Sequence, residues 1–260
     1  MKKSLKKRFL HFDDIDEEIF DTKIYRYISY DEFREKLRKR RARFTNPAVW
    51  SAHDPYENVL FSIPCRQKGN SEKLSLNNLT RHFYAQCWTL SRESDLMWQV
   101  YNARYASNGG AIKIQTTIGL LLESQSHDFM YLGKVKYLTK SDFISAYRIF
   151  TKGISKHLVE DAGSGRVVAE RLCYKRYPYR AEKEVRLILS DFVARAQNPI
   201  PEHIFRKFDV NKVVQRIVFD PRMDPAEYQN KKRILIKKGF ENSIIQSSLY
   251  SVNEADFILK

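Results

Sequence analysis

The 260-residue sequence predicts an α+β fold built on a mostly antiparallel or mixed sheet with flanking helices. Three observations carry this. About seven or eight segments have strand character, helical stretches stand between them, and few neighbouring segments make the strand–helix–strand unit of a parallel sheet.

Composition bounds the class. Hydrophobic residues make up 43% of the chain and charged residues 30%, which suits a folded core rather than a disordered chain. Sixteen Phe, 15 Tyr and 3 Trp supply bulky core material. We expect a charged N-terminal arm over residues 1–22 and a single α+β domain over residues 23–260. The longest apolar candidate for a membrane span, Thr116–Leu122, is far shorter than the roughly 20 residues needed, so no membrane partner is expected.

The opening Met1–Arg8 segment is basic but has no apolar core, and Asp13, Asp14, Asp16, Glu17, Glu18 and Asp21 follow it. This is no secretion signal, and a cytoplasmic location is expected. Cys65, Cys87 and Cys173 are odd in number and far apart, so neither a disulfide framework nor a zinc pair is expected. The six histidines are scattered, and no metal is expected. Lys and Arg number 46 against 31 Asp and Glu, a formal charge of +15. That excess favours polyanionic partners and leaves fold and reaction open.

The elements follow in order. Lys23–Ile28 is a strand of aromatic and branched residues. Ser29 and Glu32 have capping-box spacing, and the helix behind them would bury Phe33 and Leu37. Its far end carries Lys36, Arg38, Lys39, Arg40, Arg41 and Arg43. Cations there complement the helix dipole, which makes a solvated helix end the ordinary reading. The sharper reading is a nucleic-acid-binding patch made by those six residues.

Arg43–Trp50 is expected to be extended, and a turn at His53-Asp54-Pro55 leads into the apolar run Val59–Ile63. Residues 66–80 are polar and loop-like. His82–Leu90 is a buried strand, and Ser94 caps a helix on which Met97, Val100, Tyr101 and Tyr105 share a face. Asn108-Gly109-Gly110 ends it with residues that tolerate positive φ. Ala111–Gln115 and Tyr131–Leu138 are strands. Asp142–Asp161 is helical, Gly163 and Gly165 interrupt the pattern, and a second helix runs from Arg166 to about Tyr174. Glu184–Leu189 is a strand, Pro201–Phe208 a short helix and Lys212–Phe219 a strand ended by Asp220-Pro221. Ala226–Lys238 is a helix closed by Gly239, and Ser243–Leu249 is the last strand.

Familiar catalytic motifs are missing. No GxGxxG follows a strand and no GxxxxGKS/T occurs, which disfavours nucleotide binding of those types. Gly-Ser-Gly at 163–165 is not the GxSxG of a nucleophile elbow. No strand carries the carboxylate set of a metal nuclease. Three segments are denser in chemistry than the rest: Tyr25-Arg26-Tyr27; Cys87-Trp88-Thr89-Leu90-Ser91 with Ser94, Met97-Trp98 and Tyr101; and Glu182-Lys183-Glu184-Val185-Arg186. In a strand, Glu182 and Glu184 would share one face and repel unless a cation sits near. The ordinary readings are a charged sheet edge for the last segment, an outward strand residue for Arg26 and core packing for Trp98 and Tyr101.

The order of these segments resembles domain-of-unknown-function family 2971, which occurs widely in bacteria. The likeness rests on Tyr25-Arg26-Tyr27, Asn46-Pro47, Asp54-Pro55-Tyr56-Glu57, Cys87-Trp88-Thr89, Ser94, Met97-Trp98, Tyr105-Ala106, Gly110, the Glu182/Glu184/Arg186 set and Ser248-Leu249. It spans roughly residues 23–250. Two features depart from the family: Trp50 stands apart from Asp54-Pro55, and the basic run at 36–43 is heavier.

The pattern is in turn similar to ADP-ribosyltransferase-like folds, in which a split sheet holds NAD. That second resemblance implies a catalytic set of Arg26, Thr89 and Glu184. It implies NAD-binding roles for Arg26, Ser91, Tyr101, Tyr105 and Glu182. NAD would be a substrate, and the activity that of an ADP-ribosyltransferase or NAD glycohydrolase of a bacterial defence or toxin system, with nucleic acid or a protein of that system as partner. The competing readings are a non-catalytic nucleic-acid-binding module and a protein-interaction or sensor component.

Overall fold

The computed structural model describes residues 7–52, 54–62, 64–66, 73–74, 76–125, 130–149, 165–241 and 243–252. Part of the expected loop at 66–80 and the second half of the expected Asp142–Asp161 helix fall outside them; the described part of 66–80 carries short strand residues and a 3-10 turn at Asn77–Leu79. In chain order the strands are β1 (Phe9–Leu10), β2 (Lys23–Ser29), β3 (Arg41–Thr45), β4 (Cys65–Arg66), β5 (Lys73–Leu74), β6 (Phe83–Thr89), β7 (Ala111–Thr117) and β8 (Met130–Lys134). Then come β9 (Lys136–Leu138), β10 (Tyr174–Arg176), β11 (Glu184–Ser190), β12 (His203–Lys207), β13 (Arg216–Phe219) and β14 (Ile244–Gln246). Helices stand between them, so the class is mixed α+β, with parallel and antiparallel pairs in its sheets.

The chain divides into two compact units. The first gathers Met1–Asp21, Ala42–Leu90 and Gln125–Lys207. In its sheet β11 lies antiparallel between β6 and β8, and β1 adds parallel to β8. Phe9 and Leu10, inside the expected arm, therefore form a sheet strand and are buried. Every residue of β11 is buried, as suits a strand with a neighbour on each side and packing on both faces. One apolar cluster of this unit joins Leu10, Phe61, Phe83, Tyr131, Leu172 and Ile188.

Gly133 on β8 sets the spacing between the sheet and the chain that crosses it. A Cβ there would stand 2.2 Å from Cys173 Sγ, so the bare backbone lets the 172–175 segment lie directly on the sheet.

Two local expectations are corrected here. Arg43–Trp50 is not extended throughout: β3 stops at Thr45, and Asn46 caps a short helix, Pro47–Ser51, its side chain accepting from Ala48 N at 2.9 Å. Val59–Ser62 is helical. Pro201–Phe208 is not a helix, because β12 pairs with β3 and Asn46 N donates to Glu202 O at 2.8 Å. Tertiary pairing has overridden local propensity there.

The second unit comprises Thr22–Arg41, Ser91–Ser124 and Phe208–Lys260. Antiparallel β2–β7 and β7–β13 pairs are extended by a parallel β13–β14 pair. Ser29 caps helix Tyr30–Lys39 by accepting from Glu32 N at 3.0 Å, the expected half of the capping box. The Glu32 side chain also bonds Lys36 one turn on. Ser94 caps helix Asp95–Tyr105 as expected, and Gly109 and Gly110 both take positive φ after it.

A buried polar knot fixes this unit. Glu93 Oε1 accepts from Trp98 Nε1 at 3.0 Å, Lys113 Nζ at 3.0 Å and Ser247 Oγ at 2.7 Å. Three donors on one carboxylate oxygen offset much of the cost of burying Lys113, which is 3% exposed.

Candidate active site

The first unit concentrates charge at the start of β11. Antiparallel register places Glu184 opposite Thr89 and Arg186 opposite Cys87. Two preceding features aim this edge. The 3-10 helix Tyr177–Glu182 ends at Lys183, which adopts a left-handed φ of 43°. Thr89 Oγ1 then donates to Glu182 O at 2.5 Å, and Leu90 N donates to Lys183 O at 3.0 Å. The turn is thus stitched to the end of β6.

Glu182 and Glu184 do not share a strand face, as simple alternation would have it, because the left-handed residue between them breaks the extended run. They converge through a cation. Lys175 Nζ stands 2.6 Å from Glu182, 3.2 Å from Glu184 and 3.1 Å from Glu57. Arg186 completes the cluster. Its Nη2 lies 2.6 Å from Glu57 Oε2, its Nε 2.8 Å from Glu184 Oε1, and its Nη1 donates to Leu172 O at 2.6 Å. The Trp50 ring lies 4.7 Å from the Arg186 guanidinium carbon and closes that face by cation–π contact. Three carboxylates thus surround two cations in a site where Arg186 is 1% and Glu184 5% exposed.

The titration shifts follow from this packing. Burial opposes ionisation of Glu184, but Arg186 and Lys175 outweigh it and hold its carboxyl down to about 2. Burial also disfavours the Lys175 charge, yet Glu184, Glu57 and Glu182 together keep it protonated well beyond the ordinary lysine value. Glu182 moves the other way. Its burial and the charges of Glu184 and Glu57 raise its carboxyl, against the pull of Lys175. Burial and the adjacent Glu184 push the Cys87 thiol well up, so Cys87 is no thiolate nucleophile.

Glu182 is therefore the accessible member of the cluster, with its side chain 34% exposed against 6% for Glu184. The surface beside it is aromatic and cationic. Arg176 binds Asp54 Oδ2 through Nε at 3.2 Å and Nη2 at 3.0 Å, and lies 4.9 Å from the Tyr56 ring. Tyr179 stacks 4.9 Å from Lys175 Nζ, and Arg180 lies 4.4 Å over Tyr177.

Among the residues expected to act, Glu182, Glu184 and Thr89 come together in the first unit. Thr89 is 2% exposed, and its hydroxyl is engaged with backbone. Arg26, Ser91, Tyr101 and Tyr105 belong to the second unit. There Arg26 is half-buried on β2 opposite Ile114, and Ser91 Oγ donates to Glu93 O at 3.3 Å. Tyr101 stacks on Tyr27 with ring centroids 5.4 Å apart, and Tyr105 packs on Tyr101 at 5.9 Å.

The expected cationic run is partly neutralised. Lys36 is buried and bonded to Glu32, Lys39 pairs with Glu35, and Arg40 meets Asp209 at 2.6 Å. Arg43 serves β6 through its carbonyl, which accepts from Gln86 Nε2 at 2.9 Å. Arg38 is exposed.

Sequence reasoning missed Glu57, Lys175 and Asp54 as site residues. The first and last stand in the Asp54-Pro55-Tyr56-Glu57 stretch, but nothing in the sequence says that they face Arg186 and Arg176. Lys175 carries no local signal at all. Among the described residues no group of three or more His, Cys, Asp or Glu side chains is arranged to hold a metal ion, and no helix is long and apolar enough to cross a membrane.

No protein-family model matches the chain, and none of the curated proteins matches it. Among solved structures, it is similar to one described as Thermus sp. 2.9 DarT in complex with ADP-ribosylated ssDNA. The identity is 11%, the match covers 87% of this chain and 94% of that one, and the TM-score is 0.39.

Proposed function

We propose that the chain is an NAD-consuming enzyme of the ADP-ribosyltransferase-like kind, or an NAD glycohydrolase, of a bacterial defence or toxin system, with nucleic acid as the acceptor. The observation that supports this most is the half-exposed Glu182 carboxylate at the mouth of the buried cluster, its backbone pinned by Thr89.

The chemistry suits these groups. When the nicotinamide–ribose bond of NAD breaks, nicotinamide leaves with the bonding electron pair and positive charge builds at ribose C1′. A placed carboxylate stabilises that charge, as in glycoside cleavage. Glu182 takes this role, and its raised affinity for a proton suits it to accept one from the attacking nucleophile. Glu184 acts as a positioning residue. It stays ionised, fixes Lys175 and Arg186, and through Lys175 holds the Glu182 head.

The second reading, a binding or interaction component without catalysis, rests on one observation. Both Glu184 oxygens are occupied by buried cations, as in a purely structural cluster. Nicotinamide release from NAD separates the two, measured with and without a single-stranded oligonucleotide for wild type and Glu182→Gln. Release by wild type that the variant loses supports the enzyme. No release by either, with no NAD-dependent rise in melting temperature, supports the binding component.

A further inference from the structure

The second unit carries a groove of about 830 Å³ between helix Tyr30–Lys39, the short helix Val210–Val213 and the end of helix Pro225–Ile236. Its floor is apolar: Val210 and Leu235 are buried, and Leu37 and Ile234 are half-buried. Its rim is cationic. Arg34 and Arg38 lie one helical turn apart and so share a face. Lys212 comes from the short helix, and Lys238 from the turn just past the end of helix Pro225–Ile236.

These four side chains are exposed, and none holds an ion pair or hydrogen bond among the described residues. The rim's other cation, Arg40, is held by the lining acid Asp209, and a second lining acid, Glu35, by Lys39, while Asp31 is the third acid of the lining. Arg38 and Lys212 act at longer range on Glu35 and Asp209, but five cations against three acids leave the lining net positive and the four unbonded cations repelling one another. An anion between them would remove that repulsion.

We propose that this groove binds a nucleic-acid strand, with Arg34, Arg38, Lys212 and Lys238 contacting successive phosphates. Cations drawn from three separate stretches of chain along an open groove suit a chain of phosphates better than one compact phosphate group. The hollow, of about 830 Å³ and with an apolar floor, gives sugar and base edges a surface to lie on. The proposal shares with the proposed function only its acceptor class, and it places the contacts differently from the Lys36–Arg43 run: of that run it keeps Arg38 and adds three residues outside it.

The test is the salt dependence of binding a fluorescein-labelled single-stranded DNA oligonucleotide, followed by anisotropy in the absence of NAD. Two double variants, Arg34→Gln/Arg38→Gln and Lys212→Gln/Lys238→Gln, are compared with a control, Arg104→Gln/Lys140→Gln, of surface cations elsewhere. Each lost phosphate contact on a single strand should lower the slope of log K against log salt by about 0.7. Each groove variant should therefore lose about 1.4 of slope, while the control keeps it. These side chains are exposed, so melting temperatures should hold within a few degrees in all variants.

Unchanged slopes in both groove variants overturn the proposal, as does an equal loss in the control. Displacement of the oligonucleotide by an equal concentration of inorganic pyrophosphate also overturns it, since that marks a compact phosphate site. Strand binding with no NAD turnover leaves the groove standing and removes the enzyme reading. Turnover with unchanged slopes does the reverse.

Discussion

Arg186 grips Glu184 with two nitrogens, Nε 2.8 Å from Oε1 and Nη2 3.1 Å from Oε2, from a position two residues along the same strand. Both side chains are buried, so the pair is a fixture of the core of its unit as well as of its site.

Glu184→Gln should therefore be destabilising, contrary to what an exposed cleft residue would give. Removing one partner of a buried pair costs about 3–5 kcal/mol, because the other charge is left uncompensated. Glutamine keeps one acceptor, so about 3 kcal/mol is expected from urea unfolding at pH 7. The pH dependence has a definite sign. Glu184 titrates near 2 when folded against an ordinary 4.5, so its stabilisation is complete above about pH 4.5 and is lost as the pH falls toward 2. Wild type should lose stability across that window more steeply than Glu184→Gln. Parallel curves would mean that the carboxylate is not held by its cations.

Gly133→Ala tests how the 172–175 segment is seated. The new Cβ would stand 2.2 Å from Cys173 Sγ and 3.5 Å from Leu10 Cβ, on a strand bonded on both sides. Overpacking of this kind costs about 1–3 kcal/mol, and the upper end is expected because the sulfur is short and buried. Cys173→Ala removes the clashing atom. The double variant Gly133→Ala/Cys173→Ala should be more stable than Gly133→Ala alone, a sign reversal readable in thermal melts. Additive losses would show that Cys173 does not set the spacing.

How much of the fold is legible in the sequence depends on the reach of the interaction. Strands such as Lys23–Ser29 and Glu184–Ser190, the Ser29 and Ser94 caps and the glycine-ended turns are visible, because their causes lie within a few residues. The segments that differ are decided from afar. His203–Lys207 is a strand only because β3 lies beside it, and the helix after Thr45 depends on Asn46, whose Nδ2 also donates to Phe83 O at 3.3 Å. The site divides in the same way. The Glu182/Glu184/Arg186 set is readable as a motif. The partners that give it its chemistry, Glu57 and Lys175, lie 129 residues before Arg186 and 9 before Glu184, and no local pattern ties them to it. The basic run promises more free charge than it holds, since Glu32 and Glu35 stand four residues before Lys36 and Lys39 and neutralise both.

His11 should govern stability on the acid side of neutrality. Its ring stacks on Tyr174 at 5.5 Å, and burial together with Lys136 holds its titration down to about 4, from an ordinary 6.5. The unfolded chain then binds a proton in that window that the folded chain does not, so stability is lost as the pH falls from 6.5 through 4. His11→Phe keeps a ring for the stack and removes the proton site. Its unfolding free energy should vary less between pH 6.5 and 4 than that of wild type, by up to one proton's worth of slope. Identical slopes would place the acid sensitivity elsewhere.

The last prediction separates Glu182 from Glu184 within one cluster. Glu182 is raised by burial and by its neighbouring carboxylates and lowered by Lys175, so the base limb of NAD turnover should lie above the ordinary carboxyl value of 4.5. The ionised form acts, so turnover should rise with pH through that limb. Glu182→Gln should abolish the limb and lower kcat by about 10²–10³, the usual effect of removing one placed charge. Its stability should change by less than about 1 kcal/mol, because the Glu182 side chain is part-exposed and Thr89 bonds its carbonyl, which glutamine retains. Lys175→Met supplies the internal check. It removes the cation that lowers Glu182, so the limb should shift to higher pH in whatever fraction stays folded. Glu184→Gln should act chiefly on stability, with the limb displaced rather than lost. A pH limb that survives Glu182→Gln, or turnover equal to wild type in that variant, would remove Glu182 from contact with the reacting sugar.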